Sequence, residues 1–344
     1  MLSKKTIGFL LKTGIVAFAL FFLYEQLTVK SSIDQFNSID ILQQIKEHYG
    51  ILVFVVFMMS INWFLEALKW RFLITKIENI SIKRSIRAIF SGITVSAFTP
   101  NRVGEYGGRV FCLEKANRIQ AVIITIIGSM AQLVTTIVFG SIGLLLLLKY
   151  KSELSQMIPT IELTYPSHLL KYLFQTITTI EFAYPILVFF LVLFNVLLIA
   201  VFLNASIFSD LLSKIKFLKK YKKYNEVFSF YNSTELAKVL WYSVARYAVF
   251  TTQFFILLQL FGVNITYPDA IVLIMTMLFI ISVIPYSPVT DLGVRGFVAT
   301  FLFGLISPNT VGILSATFVL WIINLLLPAL IGTLFIFTLK FFRK

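Results

Sequence analysis

The sequence predicts an all-α polytopic membrane protein, with about six full transmembrane helices and two re-entrant helical hairpins in an inverted repeat. Three observations predict it. Of 344 residues, 58% are hydrophobic and 13% charged, and the mean hydropathy is +0.89; soluble domains carry roughly 25% charged residues. Apolar runs of about 18 residues or more, enough to cross a bilayer, recur along the chain. Two polar stretches rich in glycine and proline, residues 98–109 and 287–295, interrupt shorter apolar runs. Inside a bilayer, such sequence is tolerated only where it lines a cavity or is packed within protein.

The first span, residues 7–23, follows Lys4 and Lys5, which places the N-terminus in the cytoplasm by the positive-inside rule. It has no small-residue cleavage site and reads as a retained span, not a signal peptide. A polar connection over residues 25–48 leads to the second span, 50–74. Its last third carries Asn62, Glu66 and Lys69 at i, i+4 and i+7, on one helix face. Glu66 lies about 12 Å from the helix end at 1.5 Å per residue. A carboxylate at that depth is functional by default, with Lys69 as a candidate partner. Trp63 and Trp70 read as interfacial anchors.

Lys76, Lys83, Arg84 and Arg87 mark a cytoplasmic loop. The apolar run 88–98 then spans only about 16 Å, too short for a hydrocarbon core of about 30 Å. The chain meets Pro100, and the next basic residues, Lys115 and Arg118, mark the cytoplasm again. A hairpin entering from the cytoplasm, with residues 99–108 near its tip, follows from those flanks. The third span, 119–148, is long enough to tilt.

Residues 149–181 balance lysines against Glu153, Glu162 and Glu181 and read as an outer loop. After a fourth span, 184–203, six lysines between Lys214 and Lys223 return the chain to the cytoplasm. The fifth span, 236–261, carries Arg246 and Gln253 on one face. A second short run, 271–284, precedes Pro285, Pro288 and the second polar stretch, and 296–305 follows it. The flanks 262–269 and 307–310 contain no Lys or Arg, so this hairpin enters from outside. The last span, 311–339, ends at Lys340, Arg343 and Lys344, in the cytoplasm. Residues 49–148 and 236–339 thus form two copies of opposite orientation inside one transmembrane domain, 1–344. Inverted repeats with broken helices meeting near the midplane recur in transporters.

The net charge of +14 is explained by basic residues beside spans, so no nucleic-acid partner is expected, and attraction to anionic headgroups is compatible with it. One cysteine, Cys112, excludes an internal disulfide and a cysteine-based metal cluster. His48 and His168 are far apart, and no metal or cofactor is expected. There is no Ser-His-Asp order and no Walker loop, so no catalytic residue is assigned.

Both polar stretches contain Ser/Thr-Pro followed by acid-x-Gly-x-Arg: Glu105 to Arg109, and Asp291 to Arg295. Guanidinium forks bind phosphate bidentately, which makes Arg102, Arg109 and Arg295 candidates for an anionic headgroup. Backbone N–H groups at half-helix starts add a positive dipole end. Gly104, Gly107 and Gly108 permit a sharp chain path. Glu105 and Asp291 either neutralise an arginine when substrate is absent or hold the hairpins shut as structural pairs. Arg246 and Glu66 carry the same two readings. Gln132, Asn195 and Asn324 are mid-span amides of the kind that hydrogen-bond between helices.

Asn62, Trp63, Glu66, Lys69, Trp70 and Arg71, followed by Thr99, Pro100, Arg102, Gly104 and Glu105, resemble the transmembrane region of lysylphosphatidylglycerol synthases. That region also occurs alone, in flippase-like membrane proteins. Pro288 and Leu292 to Arg295 are similar to the family's second polar block. The family's block often continues with Glu after the arginine, whereas Gly296 stands here and Asp291 is the nearest acid. The bifunctional synthases carry a soluble aminoacyl-transfer domain after the membrane region, and this chain stops at Lys344. The resemblance therefore implies a protein that moves a lipid or lipid-linked headgroup and does not make lysyl-lipid.

The expectation is thus a non-enzymatic inner-membrane flippase for an anionic phospholipid or lipid-linked headgroup, with both termini cytoplasmic. Its binding residues would be Glu66, Arg102, Glu105, Arg109, Arg246, Asp291 and Arg295. A membrane-embedded transferase acting on a lipid phosphate, and a non-catalytic partner of another membrane enzyme, are the alternatives. A homo-oligomer is compatible with either.

Overall fold

The computed structural model describes residues 10, 13–14, 46–97, 99, 102–149, 184–204, 226–284 and 288–337. Almost all of the expected first span, the outer loop, the lysines at 214–223 and the basic C-terminus lie outside them. The described elements are helical throughout. In chain order they are α1 (Tyr49–Ile74), α2 (Ile82–Ser96), α3 (Gly104–Val110), α4 (Arg118–Lys149), α5 (Tyr184–Leu203), α6 (Ser233–Leu260), α7 (Tyr267–Val283), α8 (Pro288–Phe303), α9 (Thr310–Trp321) and α10 (Leu327–Ile336). A 3-10 turn, Glu226–Phe230, precedes α6, and a π-helical turn, Ile322–Leu326, joins α9 to α10.

Among the described residues, four helices are long and apolar enough to cross a membrane: α1, α4, α5 and the composite Thr310–Ile336. Helix α6 matches them in length at 28 residues but carries Arg246, Gln253 and Gln259, which lower its apolarity. Helix α7 is apolar and shorter, at 17 residues.

Three expectations change. Helix α2 starts at Ile82, ahead of the expected apolar run, because the Ser81 hydroxyl accepts the Arg84 N–H at 3.3 Å and caps it. Lys83, Arg84 and Arg87 are therefore helical. The polar stretches expected at hairpin tips are largely helical too, as α3 and the start of α8. In both, acid and arginine stand at i, i+4 with the acid first, the better order for a helical ion pair. Pro288 fits a first helical turn because its missing N–H has no partner to lose there. Finally, Trp63 and Trp70 are packed inside the protein and do not present their rings to its surroundings as anchors would. They are 7% and 1% exposed, and the Trp70 indole donates to Thr125 Oγ1 at 3.0 Å.

Each hairpin is closed at its base by a side chain bonded to backbone. In the first, Glu78, just before α2, accepts N–H groups from Glu114, Lys115 and Ala116, beyond α3, at 2.7–3.1 Å. In the second, Asn309, beyond α8, donates to the carbonyls of Phe261 and Gly262, before α7, at 3.0 Å each. Within the first hairpin the backbones of α2 and α3 touch. A Cβ on Gly108 would lie 2.6 Å from Gly92 Cα, so only glycine fits there.

The halves grip each other's hairpins. Helix α4 packs chiefly against α7, and α10 against α2, while α1 packs along α6. Small residues allow the close approach. Gly140 and Gly143 on α4 sit against Phe279 and Met275 on α7. Gly332 on α10 sits against the Phe90 carbonyl, and Thr94 Oγ1 donates to the Ala329 carbonyl at 2.8 Å. Small residues let membrane helices pack closely where no hydrophobic driving force exists between them. Helix α5 is peripheral: Phe202 is its buried residue, and Phe189, Phe190 and Phe194 point outward.

Candidate functional site

Helix α1 supplies the centre of the site. Asn62, Glu66 and Lys69 share one face, as their spacing predicts, and all three are at most 4% exposed. The Glu66 carboxylate gathers three cations. Its Oε1 accepts from Arg109 at 2.8 Å, and its Oε2 pairs with Lys69 at 2.8 Å and with Arg246. A buried charge must be paired and hydrogen-bonded to persist, and here the pairing reaches across three helices. The other terminal guanidinium nitrogen of Arg109, Nη2, pairs with Glu105, one turn earlier on α3. Lys69 Nζ also lies 3.4 Å from Ser243 Oγ on α6.

Arg246 is the link to the second half. Its Nε donates to Asn62 Oδ1 at 2.8 Å, and it reaches Gln132 Oε1 on α4 at 3.4 Å. The guanidinium lies over the Trp63 ring, 5.3 Å from its centroid, at cation–π distance. On α8, Arg295 Nε donates to Asp291 Oδ1 at 2.8 Å. Further along the α1–α6 seam, Gln253 donates to the Val55 carbonyl and accepts from Asn324, each at 2.9 Å.

Two cavities flank this cluster. The larger, about 570 Å³, is lined by Glu66, Lys69, Glu105, Tyr106 and Gln132 together with Trp63, Arg102 and Arg246. The smaller, about 130 Å³, is lined by Asp291, Arg295, Trp321 and Asn324, again together with Trp63, Arg102 and Arg246. Those three residues are a shared wall. Arg102 sits between α2 and α3 at φ +58°, the one non-glycine residue with positive φ among those described. An arginine in that conformation is strained, and strain of this kind concentrates at functional positions.

Six of the seven expected site residues line one or both cavities. Arg109 does not: it lies behind Glu66 and Glu105, 2% exposed, and positions both carboxylates. Counting it, five cations (Lys69, Arg102, Arg109, Arg246 and Arg295) face three carboxylates (Glu66, Glu105 and Asp291), an excess of two positive charges. Sequence reasoning placed Trp63 elsewhere and did not single out Trp321, while Gln132 and Asn324 make the interhelical bonds expected of mid-span amides and also line the cavities. Trp63 precedes Glu66 by three residues, so helical spacing put it on the same face. Trp321 left no comparable local signal.

The Asn195 amide donates to Ser141 Oγ at 2.7 Å, an interhelical bond of the kind expected. No group of three or more metal-ligating side chains occurs among the described residues.

A search of curated proteins returns no match, and neither does a search of solved structures. The family model described as the lysylphosphatidylglycerol synthase TM region matches residues 9–332, a range that contains every residue of the charged cluster. This multi-pass membrane protein belongs to the lysylphosphatidylglycerol synthase transmembrane-region family.

Proposed function

We propose that this protein is a lipid flippase and not an enzyme: it carries an anionic phospholipid or lipid-linked headgroup across the inner membrane. The observation that carries the reading is the shared wall. Arg102 and Arg246 border both cavities, so an anion can pass from one to the other without leaving their guanidinium groups. The excess positive charge provides attraction, and the carboxylates Glu66, Glu105 and Asp291 hold the arginines until a phosphate competes for them. The apolar lining of the smaller cavity, Phe250, Phe254, Met277 and Leu278, suits the rest of an amphiphile.

The wider architecture is part of the same proposal. The chain has six full spans and two re-entrant hairpins, in copies at about 49–148 and 236–339, with both termini cytoplasmic. The hairpin bases closed by Glu78 and Asn309 support re-entry, because the chain after each hairpin returns to the place where it began. The reciprocal packing of α4 on α7 and α10 on α2 supports the inverted repeat, since a two-fold relation would exchange those pairs. Alternating access then arises from motion of the hairpins about the polar seam between α1 and α6.

The test is leaflet exchange in proteoliposomes holding the purified protein and fluorescent phosphatidylglycerol, read by quenching with membrane-impermeant dithionite. Wild-type protein exchanges the label; Arg102→Ala and Arg295→Ala insert and fold but do not. Full exchange in both variants would overturn the site.

A further inference from the structure

We propose that the two hairpins play unequal parts: the first rocks as one body with α10, freed by the π-helical turn Ile322–Leu326, and the second stays fixed. This rests on the flippase reading and identifies the part that moves. The observation behind it is a break in one helix at the place where its packing partner changes. At the turn the Leu327 N–H donates to the Ile322 carbonyl, five residues back. Pro328 follows in the first turn of α10 and has no N–H to offer the Asn324 carbonyl, four residues back. Helices bend at π-turns and prolines, and π-turns gather at functional positions. Before the break, α9 packs on α6 and α8; after it, α10 packs on α2. Helix α4, which packs on α7 of the second hairpin, is one unbroken helix of 32 residues.

Both sides of the break are anchored, to different bodies. On the α9 side, Asn324 Nδ2 donates to Gln253 Oε1 on α6 at 2.9 Å and to the Leu320 carbonyl at 3.1 Å. On the α10 side, Gly332 lies against the Phe90 carbonyl with no room for a Cβ, and Thr94 Oγ1 holds the Ala329 carbonyl. The freedom therefore lies between Asn324 and Pro328. At the base of the first hairpin, Ser85 Oγ donates to the Ala67 carbonyl on α1 at 2.6 Å, which makes that end the pivot. Near the tip, the tie to α1 is the ion pair of Arg109 with Glu66, which a competing anion loosens. A rock of about 10° moves the tip, about 22 Å from the base along the 15 residues of α2, by about 4 Å. The smaller cavity straddles this boundary. Arg102 belongs to the moving hairpin, and Phe254, Asp291, Arg295 and Trp321 to the part that stays, so rocking changes the width of the cavity.

The test follows distances between spin labels in a Cys112→Ser background, by pulsed electron paramagnetic resonance. The exposed positions Val103, Trp241, Phe297 and Leu330 are changed to cysteine two at a time, in nanodiscs of dioleoyl phosphatidylcholine or dioleoyl phosphatidylglycerol. Val103 and Leu330, each measured against Trp241 on α6, shift together between the two lipids by up to about 4 Å. Val103 against Leu330, and Phe297 on α8 against Trp241, stay constant. Deletion of Ile322, which lines neither cavity, and Pro328→Ala, which restores the missing N–H, each abolish the shifts. Both slow exchange of fluorescent phosphatidylglycerol about tenfold or more, the effect of a barrier raised by roughly 1.4 kcal/mol. Both keep wild-type binding of phosphatidylglycerol in native mass spectrometry, which shows that the fold and the site are intact. No shift in any pair overturns the proposal. A change between Val103 and Leu330 shows α10 sliding on α2 and overturns the single body, and an equal shift of Phe297 overturns the fixed second hairpin. Undiminished exchange in both variants, or loss of binding in both, overturns the turn as the joint. Wild-type protein that moves no lipid overturns the flippase reading, while the distances still decide the joint.

Discussion

Glu66→Gln is the sharpest probe of the charged cluster. The substitution keeps the side-chain volume and one acceptor oxygen and removes the charge. In the native protein the two carboxylate oxygens hold Lys69, Arg109 and Arg246. Without that charge, Arg109 retains Glu105, and Arg246 retains Asn62 and Gln132. Lys69 keeps only the Ser243 hydroxyl at 3.4 Å, with its side chain 1% exposed. Breaking a buried pair by removing one partner costs about 3–5 kcal/mol, because the other charge stays behind. Loss of Glu66 should therefore destabilise the protein by about that amount. Adding Lys69→Met removes the stranded charge, so the double variant should recover part of the loss, with a coupling of about 0.5–3 kcal/mol. Unfolding by SDS titration in mixed micelles, followed by circular dichroism, measures all three variants against wild type. Wild-type stability in Glu66→Gln, or single losses that simply add in the double variant, would refute a cluster organised by this carboxylate.

Two further predictions concern the hairpins. Burial alone would raise the Glu78 carboxyl, but N–H groups from Ala116, Lys115 and Glu114, with the Arg84 guanidinium, outweigh it and hold the group below the usual carboxylate range. Its contribution to stability is therefore present at neutral pH and is lost as pH falls through that depressed value. The stability difference between wild type and Glu78→Gln should be constant above about pH 5 and shrink below it; a difference unchanged down to pH 3 would show that the staple contributes nothing. In a Cys112→Ser background, Lys83→Cys and Lys115→Cys, at exposed positions on either side of the first hairpin, should react with a membrane-impermeant maleimide from the same face. Labelling from opposite faces would convert that hairpin into a crossing.

Much of the site was legible because charge is conspicuous against an apolar background. Glu66, Arg102, Glu105, Arg246, Asp291 and Arg295 stood out singly, and the structure brings them to two adjoining cavities. The local pairs were legible too: Lys69 with Glu66, Glu105 with Arg109 and Asp291 with Arg295. The long-range ones were not, because the other two partners of Glu66 lie 43 and 180 residues away, and helix periodicity carries no information across that separation. Helix boundaries shifted where capping decided them, as at Ser81, or where an i, i+4 ion pair made helix of glycine-rich sequence, as between Glu105 and Arg109. The tryptophans were misplaced because indole is equally at home at a membrane interface and against a buried guanidinium. Only the fold shows that Arg246 lies over Trp63.

The grip of α10 on α2 sets an order of assembly. The first hairpin carries Arg102, Glu105 and Arg109, yet part of its packing comes from Gly332 and Ala329, more than 200 residues downstream. During synthesis this hairpin emerges long before the helix that covers it. Until the last span enters the bilayer, its outer flank has no protein neighbour there and must meet lipid, water or the insertion machinery. Conversion to the finished protein is therefore a late event that waits on the end of the chain. A quality-control factor that recognises an uncovered helix face in the membrane would find its target in that interval, and a chain shortened before Ala329 would never leave it.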